Sequence, residues 1–178
     1  YLGITSVSGN VAEAKVSGVE LETRMNPAEW LEVGAAYSYT DARYTDPRGN
    51  VSGFPLEFGP YGDAPENSFS IYFLTTHELN GVGTLSLRAD YYKVVDTYFS
   101  YLTDTIAPGT ELEGYELINF RVALSEIAGS QFSVAAFVRN ATDEEYERGG
   151  LPLGGVIGSN ATIAGEPRTA GAEVSFKF

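Results

Sequence analysis

The 178-residue chain contains no cysteine and only one histidine, one tryptophan and one methionine. Without thiols there is no disulfide framework and no cysteine nucleophile, and the redox compartment is left open. Nowhere do ~18 apolar residues run together, which excludes a transmembrane helix. That does not exclude membrane strands, whose apolar residues hide in alternation and leave average hydropathy near neutral. Basic residues are scarce: 11 Lys+Arg stand against 24 Asp+Glu, a net charge of −13. A nucleic-acid partner needs a basic face, so the balance argues against one.

The residue set for catalysis is equally thin, and no enzyme activity, metal centre or cofactor is expected. His77 falls in an expected short turn, with no partner to make it a base. The serines have no base pattern beside them. The acidic run 143–147 lacks the regular spacing of a dedicated Ca²⁺ loop and reads as a solvated loop start. Asn140 and Asn160 head Asn-Ala-Thr triplets, a glycosylation pattern common by chance. The pairs Gly149-Gly150 and Gly154-Gly155 lack the strand-to-helix setting of a phosphate cradle. No signal peptide is recognisable before Tyr1, so the chain is a mature form or a piece of something longer.

What the chain does have is alternation. Ala170, Ala172, Val174, Phe176 and Phe178 share one parity; Gly171, Glu173, Ser175 and Lys177 share the other. A period of two marks a strand with one apolar and one polar face. The pattern recurs over 11–24, 31–44, 68–73, 85–92, 118–124 and 132–138, which gives seven expected strands. Between them, short connections (25–29, 77–81, 125–130) alternate with long loops (45–66, 98–113, 140–166). Asn26-Pro27 supplies the first turn, because proline fixes φ and has no N–H for a ladder.

Short turns at one end and long loops at the other are the habit of outer-membrane barrels. Opposite the apolar rows stand Glu20, Glu22, Arg24, Glu32, Arg88, Asp90, Asn119, Arg121, Glu173 and Lys177. A wide barrel would place these in a wet lumen and the apolar rows in lipid. Aromatics fall at both ends: Trp30, Phe176 and Phe178 near short turns, Tyr37, Tyr39, Tyr91 and Tyr98 nearer long loops, as two interfacial girdles require. The expected fold is therefore all-β, an antiparallel transmembrane barrel meander. A soluble β-sandwich binding module and a complete eight-stranded barrel remain as alternatives. The latter would need 1–8 as a first strand, shorter than the ~9–11 residues of a span.

Four segments carry a family resemblance. Lys15-Val-Ser-Gly-Val-Glu-Leu-Glu22 and the strand 31–44 resemble consecutive strands of TonB-dependent outer-membrane receptors. Phe137-Val-Arg-Asn-Ala-Thr-Asp-Glu-Glu-Tyr146 is similar to their penultimate-strand motif, with Ala141 where leucine is commoner. The stretch from Pro167 to Phe178 resembles their closing strand with its terminal aromatic. The resemblance implies a 22-strand barrel of which residues 1–178 are the last seven or eight strands, with plug, TonB box and earlier strands absent from this sequence. It also implies TonB-driven import, across a Gram-negative outer membrane, of a scarce small molecule such as a metal chelate. Outer-membrane lipid, the TonB complex and the barrel assembly machinery are the implied partners, the last reading Val174, Phe176 and Phe178.

A ligand would meet the long loops and the upper lumen. Tyr44, Arg48, Phe54, Tyr61, Tyr92, Tyr98, Tyr101 and Arg148 are the candidate binding residues there. Tyrosine offers a large face and a polar tip, which suits a binding surface open to water. For any one of these tyrosines, a place in the upper aromatic girdle is the alternative.

Overall fold

The computed structural model describes residues 13–51, 54–100 and 109–177. Its elements in chain order are β1 (Glu13–Ala28), β2 (Leu31–Asp46), β3 (Arg48–Val51), β4 (Phe54–Glu57), β5 (Asn67–Leu79), β6 (Gly83–Val94) and β7 (Thr97–Tyr98). Then come β8 (Glu111–Leu112), β9 (Tyr115–Ser125), a 3-10 turn (Ile127–Gly129), β10 (Phe132–Arg139), β11 (Glu147–Leu151), α1 (Gly154–Ile157), β12 (Ala161–Ala164) and β13 (Thr169–Phe176).

Seven strands form one sheet in the order β1-β2-β5-β6-β9-β10-β13, every neighbouring pair antiparallel. The order is that of the chain, because connections of a few residues can join only antiparallel neighbours. Among the described residues β1 pairs only with β2 and β13 only with β10, so the meander has two free edges. The six remaining strands make three small ladders, one in each long loop: β3–β4, β7–β8 and β11–β12.

Register puts like with like, since directly opposed residues share a face. One row crosses the sheet as Met25, Val33, Phe73, Ala89, Phe120, Val138 and Ala170. On the other face Arg24, Gly34, Tyr72, Asp90 and Asn119 stand in line. The apolar rows are open: Leu21 is 62% exposed, Phe120 50% and Val174 76%. A soluble sandwich would bury that face under a second sheet, and none is present among the described residues. An uncovered apolar face of this extent demands an apolar surrounding, and with a polar opposite face that is lipid outside and water within.

Two turns differ from the sequence expectation. Strand β1 continues through Asn26 and Pro27, and the hairpin closes at Glu29-Trp30, where Ala28 opposes Leu31. The register shifts between Met25 and Ala28, so Pro27 lies in an irregular, bulged stretch of the β1–β2 ladder, where its missing N–H costs no bond to β2. Likewise β5 extends to Leu79, and His77 is a strand residue opposite Leu85 rather than a turn residue. Its ring stacks on Trp30 at 5.5 Å, while Thr76 N–H donates to the Trp30 carbonyl at 2.9 Å. The two residues form an aromatic pair at the short-turn end.

Length sets what projects beyond the membrane. Strands β1 and β2 have 16 residues each, roughly 53 Å at ~3.3 Å per residue. A lipid band ~25 Å tall crossed at ~45° uses only about 11 of them. The surplus lies at the long-loop end, because the other end is closed by the tight turn. An outward ion pair marks the level: Lys93 Nζ meets Glu116 Oε1 at 2.6 Å, and Tyr91 Oη donates to Glu116 Oε2 at 2.9 Å. Two charges facing outward belong above the hydrocarbon, with Tyr91 at its rim.

Candidate functional site

The buried side chains are not in the sheet but at its mouth. Phe58, Val94, Phe99 and Leu112 are the buried apolar residues among those described, with Ser100, Thr110 and Asn140 the buried polar ones. All belong to the long loops or to strand ends beside them. Since lipid and water take the two faces of the wall, the loops must build a core of their own.

The first loop folds back on the wall. Phe58 N–H donates to the Pro47 carbonyl at 2.7 Å, closing the β3–β4 hairpin. Tyr44 is thereby set beside Phe58 (centroids 5.1 Å apart) and Tyr61 (5.4 Å). Asp63 N–H donates to the Tyr98 carbonyl at 2.7 Å, which brings the second loop alongside. Tyr44, Phe58, Tyr61, Thr97 and Tyr98 line a cleft of about 430 Å³. Its charged lining is Asp41, Glu66 and Asp96 against Arg43. Asp96 is partly committed, accepting from Gly114 N–H at 2.7 Å, and Arg43 lies 3.6 Å from Asp41. The Thr97 hydroxyl is buried and has no partner among the described residues.

A second aromatic group stands on the inner wall. Tyr92 lies 6.0 Å from Tyr115, whose ring packs at a tilt on Tyr146 at 4.2 Å. Tyr115 is one residue above the Lys93–Glu116 level, outside the lipid band. Burial there pushes its phenol above the usual tyrosine range, so it stays protonated and able to donate. Lower in the lumen, Tyr72 Oη donates to Glu32 at 2.7 Å, Glu32 pairs with Arg24, and the Arg88 guanidinium lies 4.3 Å over the Tyr72 ring. Arg121 and Glu173 pair at 2.7 Å on the same face.

Of the eight candidate binding residues, the structure brings Tyr44, Tyr61 and Tyr98 into one cleft. Tyr92 belongs to the separate wall group. Arg48 opens β3, where its N–H donates to Asp46 Oδ1 at 3.2 Å; Arg148 lies on β11, 4.0 Å from Glu166. Phe54 begins β4. Tyr101 and Phe178 lie outside the described residues. Val174 and Phe176 face outward on β13, and Phe176 packs on Phe132 at 4.8 Å.

The Asn140 motif has a structural purpose. Asn140 is 3% exposed with φ 48°, and its side-chain amide donates to the carbonyls of Glu144 (2.9 Å) and Glu166 (3.1 Å). Its Oδ1 accepts from Glu144 N–H at 2.8 Å, and Asp143 pairs with Arg168 at 3.2 Å. A fully bonded, buried amide is no glycan acceptor, and the acidic run starts a tied-down turn. Among the described residues no group of acids and histidine could hold a metal ion.

Sequence reading passed over Phe58, Phe99 and Thr110. Phe58 had a signal in its Phe-Gly-Pro-Tyr context. Phe99 and Thr110 had none, since both owe their burial to contacts across loops.

Comparison with known proteins agrees with this geometry. The ferric yersiniabactin uptake receptor FyuA from Yersinia pestis superposes with a TM-score of 0.76 at 18% identity, over 95% of this chain and 24% of that one. The siderophore receptor PiuA from Acinetobacter baumannii gives 0.71 at 17%, over 93% and 22%. FpvA from P. aeruginosa, solved bound to heterologous pyoverdines, gives 0.63 at 16%, over 90% and 19%. The chain thus spans about a quarter or less of the length of these structures, and the likeness is one of fold. Residues 2–141 match the family described as TonB dependent receptor-like, beta-barrel, and the chain belongs to that family.

Proposed function

We propose that residues 1–178 form the C-terminal part of the barrel of an outer-membrane receptor that binds a scarce small molecule, an iron chelate, and imports it with energy delivered through TonB. The observation that carries this reading is the aromatic cleft at the mouth, set on a wall whose outward rows are apolar and whose inward rows are polar. Tyr44, Phe58, Tyr61 and Tyr98 supply flat faces. The names of the structural neighbours, a ferric yersiniabactin uptake receptor and a siderophore receptor, support the choice of cargo.

The role is transport, not catalysis. The metal is cargo, held by its chelator, so no protein ligand set is required. With three carboxylates against one guanidinium around the cleft, the part of a ligand seated there is flat and neutral or cationic rather than anionic. Outward rows meet outer-membrane lipid of a Gram-negative cell. The closing strand with Val174 and Phe176, and Phe178 after it in the sequence, would offer alternate side chains to the barrel assembly machinery by strand addition.

Uptake tests the reading. The full-length receptor, expressed in cells stripped of other chelate receptors, is offered radio-iron on a panel of aromatic and hydroxamate chelators, with and without TonB. Uptake of at least one chelate that disappears without TonB, and falls when Tyr44 and Tyr61 are both changed to alanine, is expected. TonB-independent entry, or indifference to the two tyrosines, would overturn it.

A further inference from the structure

The short segment 97–100 of the second loop touches both of its neighbours. Tyr98 lines the first-loop cleft, and its carbonyl accepts the Asp63 N–H. Phe99, next along, is 6% exposed and does not line that cleft. Its N–H donates to the Thr110 carbonyl at 3.0 Å, and Thr110 is fully buried. Its ring lies on Gly150 of β11, where an added Cβ would stand 2.7 Å from Phe99 Cε2 and 2.8 Å from the Ala161 carbonyl oxygen. A second strut joins the same two loops, because Asn160 Nδ2 donates to the Gly109 carbonyl at 3.2 Å. Alternation thus gives one residue to the cleft and the next to the third loop.

We infer that Phe99 is a positioning residue: seated against Gly150, it locks the three long loops into one unit and so fixes Tyr98 and the cleft that Tyr98 lines. The inference rests on the cleft being the binding site for its meaning in transport, but not for its test. Gly150 is the complementary half. Nothing wider than its hydrogen fits between the Phe99 ring and the β12 backbone, so loop 147–164 reports on loop 57–64 through a residue belonging to neither.

Amide hydrogen exchange on the full-length receptor, without ligand, tests it. Gly150→Ala forces the Phe99 ring aside, and the Asp63 amide should exchange about tenfold faster while amides of β5 and β6 are unchanged. Adding Phe99→Leu withdraws the ring from the new methyl and leaves only its contact with the Ala161 carbonyl oxygen, so the double variant should exchange Asp63 more slowly than Gly150→Ala alone, a coupling that independent effects do not give. Phe99→Ala, which adds no clash, should also speed Asp63, so an assembly failure of Gly150→Ala does not remove the test. Unchanged Asp63 exchange in both single variants, or no recovery in the double, would overturn the lock. Because no ligand is used, this outcome is separate from whether any chelate is imported.

Discussion

Tyr72 lies so close over Gly34 that a Cβ at position 34 would stand 2.2 Å from Tyr72 Cε1. The two are directly paired across β2 and β5 on the lumen face. The close approach holds the phenol against Glu32 and beneath Arg88. Gly34→Ala should therefore expel the ring and break both contacts, at a cost of ~1–3 kcal/mol. Denaturant unfolding of the full-length receptor in lipid vesicles checks this. Tyr72→Ala in the same background should make the second substitution nearly silent.

The two faces of the wall should differ in their tolerance of charge. Leu87 and Val122 are direct partners on the apolar face, and Asp90 and Asn119 on the polar one. Leu87→Arg or Val122→Arg should cost ~2–4 kcal/mol near the bilayer midplane, while Asn119→Arg should be mild. The measurement is again unfolding in vesicles. Equal sensitivity on both faces would remove the lipid–lumen assignment.

Deletion of residues 47–60 removes Phe58 and the β3–β4 hairpin but no strand of the main sheet. Barrel assembly should be unchanged, read as heat-modifiable gel mobility. Uptake of the transported chelate should fall at least tenfold, a loss of ~1.4 kcal/mol or more in effective binding. Normal uptake would take this loop out of the site.

Deletion of Phe178 should lower the amount of receptor that assembles and leave the melting of the assembled fraction nearly unchanged. Val174 and Phe176 present alternate outward side chains on β13, which among the described residues pairs along one edge only, the geometry that strand addition reads. The folded fraction in cells and its thermal mobility shift separate this signal from a simple membrane anchor. An undiminished yield would leave the terminal aromatic as an anchor only.

The sheet was legible because lipid outside and water inside impose a strict period of two, and residues such as Val122 and Arg121 obey it without exception. Strand ends were less so. Pro27 marks a turn by its chemistry, yet an irregular stretch of strand tolerates it, and the bend came at Glu29-Trp30 instead. Of the cleft, Tyr44, Tyr61 and Tyr98 were legible as tyrosines in Gly- and Pro-rich loops. Phe99 and Thr110 were not, because loop packing has no period and brings together residues distant in the chain.

The location of the buried residues also bears on how such receptors can be recombined. Phe58 comes from the first loop, Phe99, Thr110 and Leu112 from the second, and Gly150 supplies the third loop's close fit. A chimera that borrows one loop from a relative would pair a foreign side chain with a native hollow, leaving a gap or a collision. Exchanging all three as a set, cut at the paired strand ends Tyr39 and Asn67, Lys93 and Glu116, and Val138 and Ala170, would carry the whole fit across. Ligand preference should then move as a block rather than loop by loop.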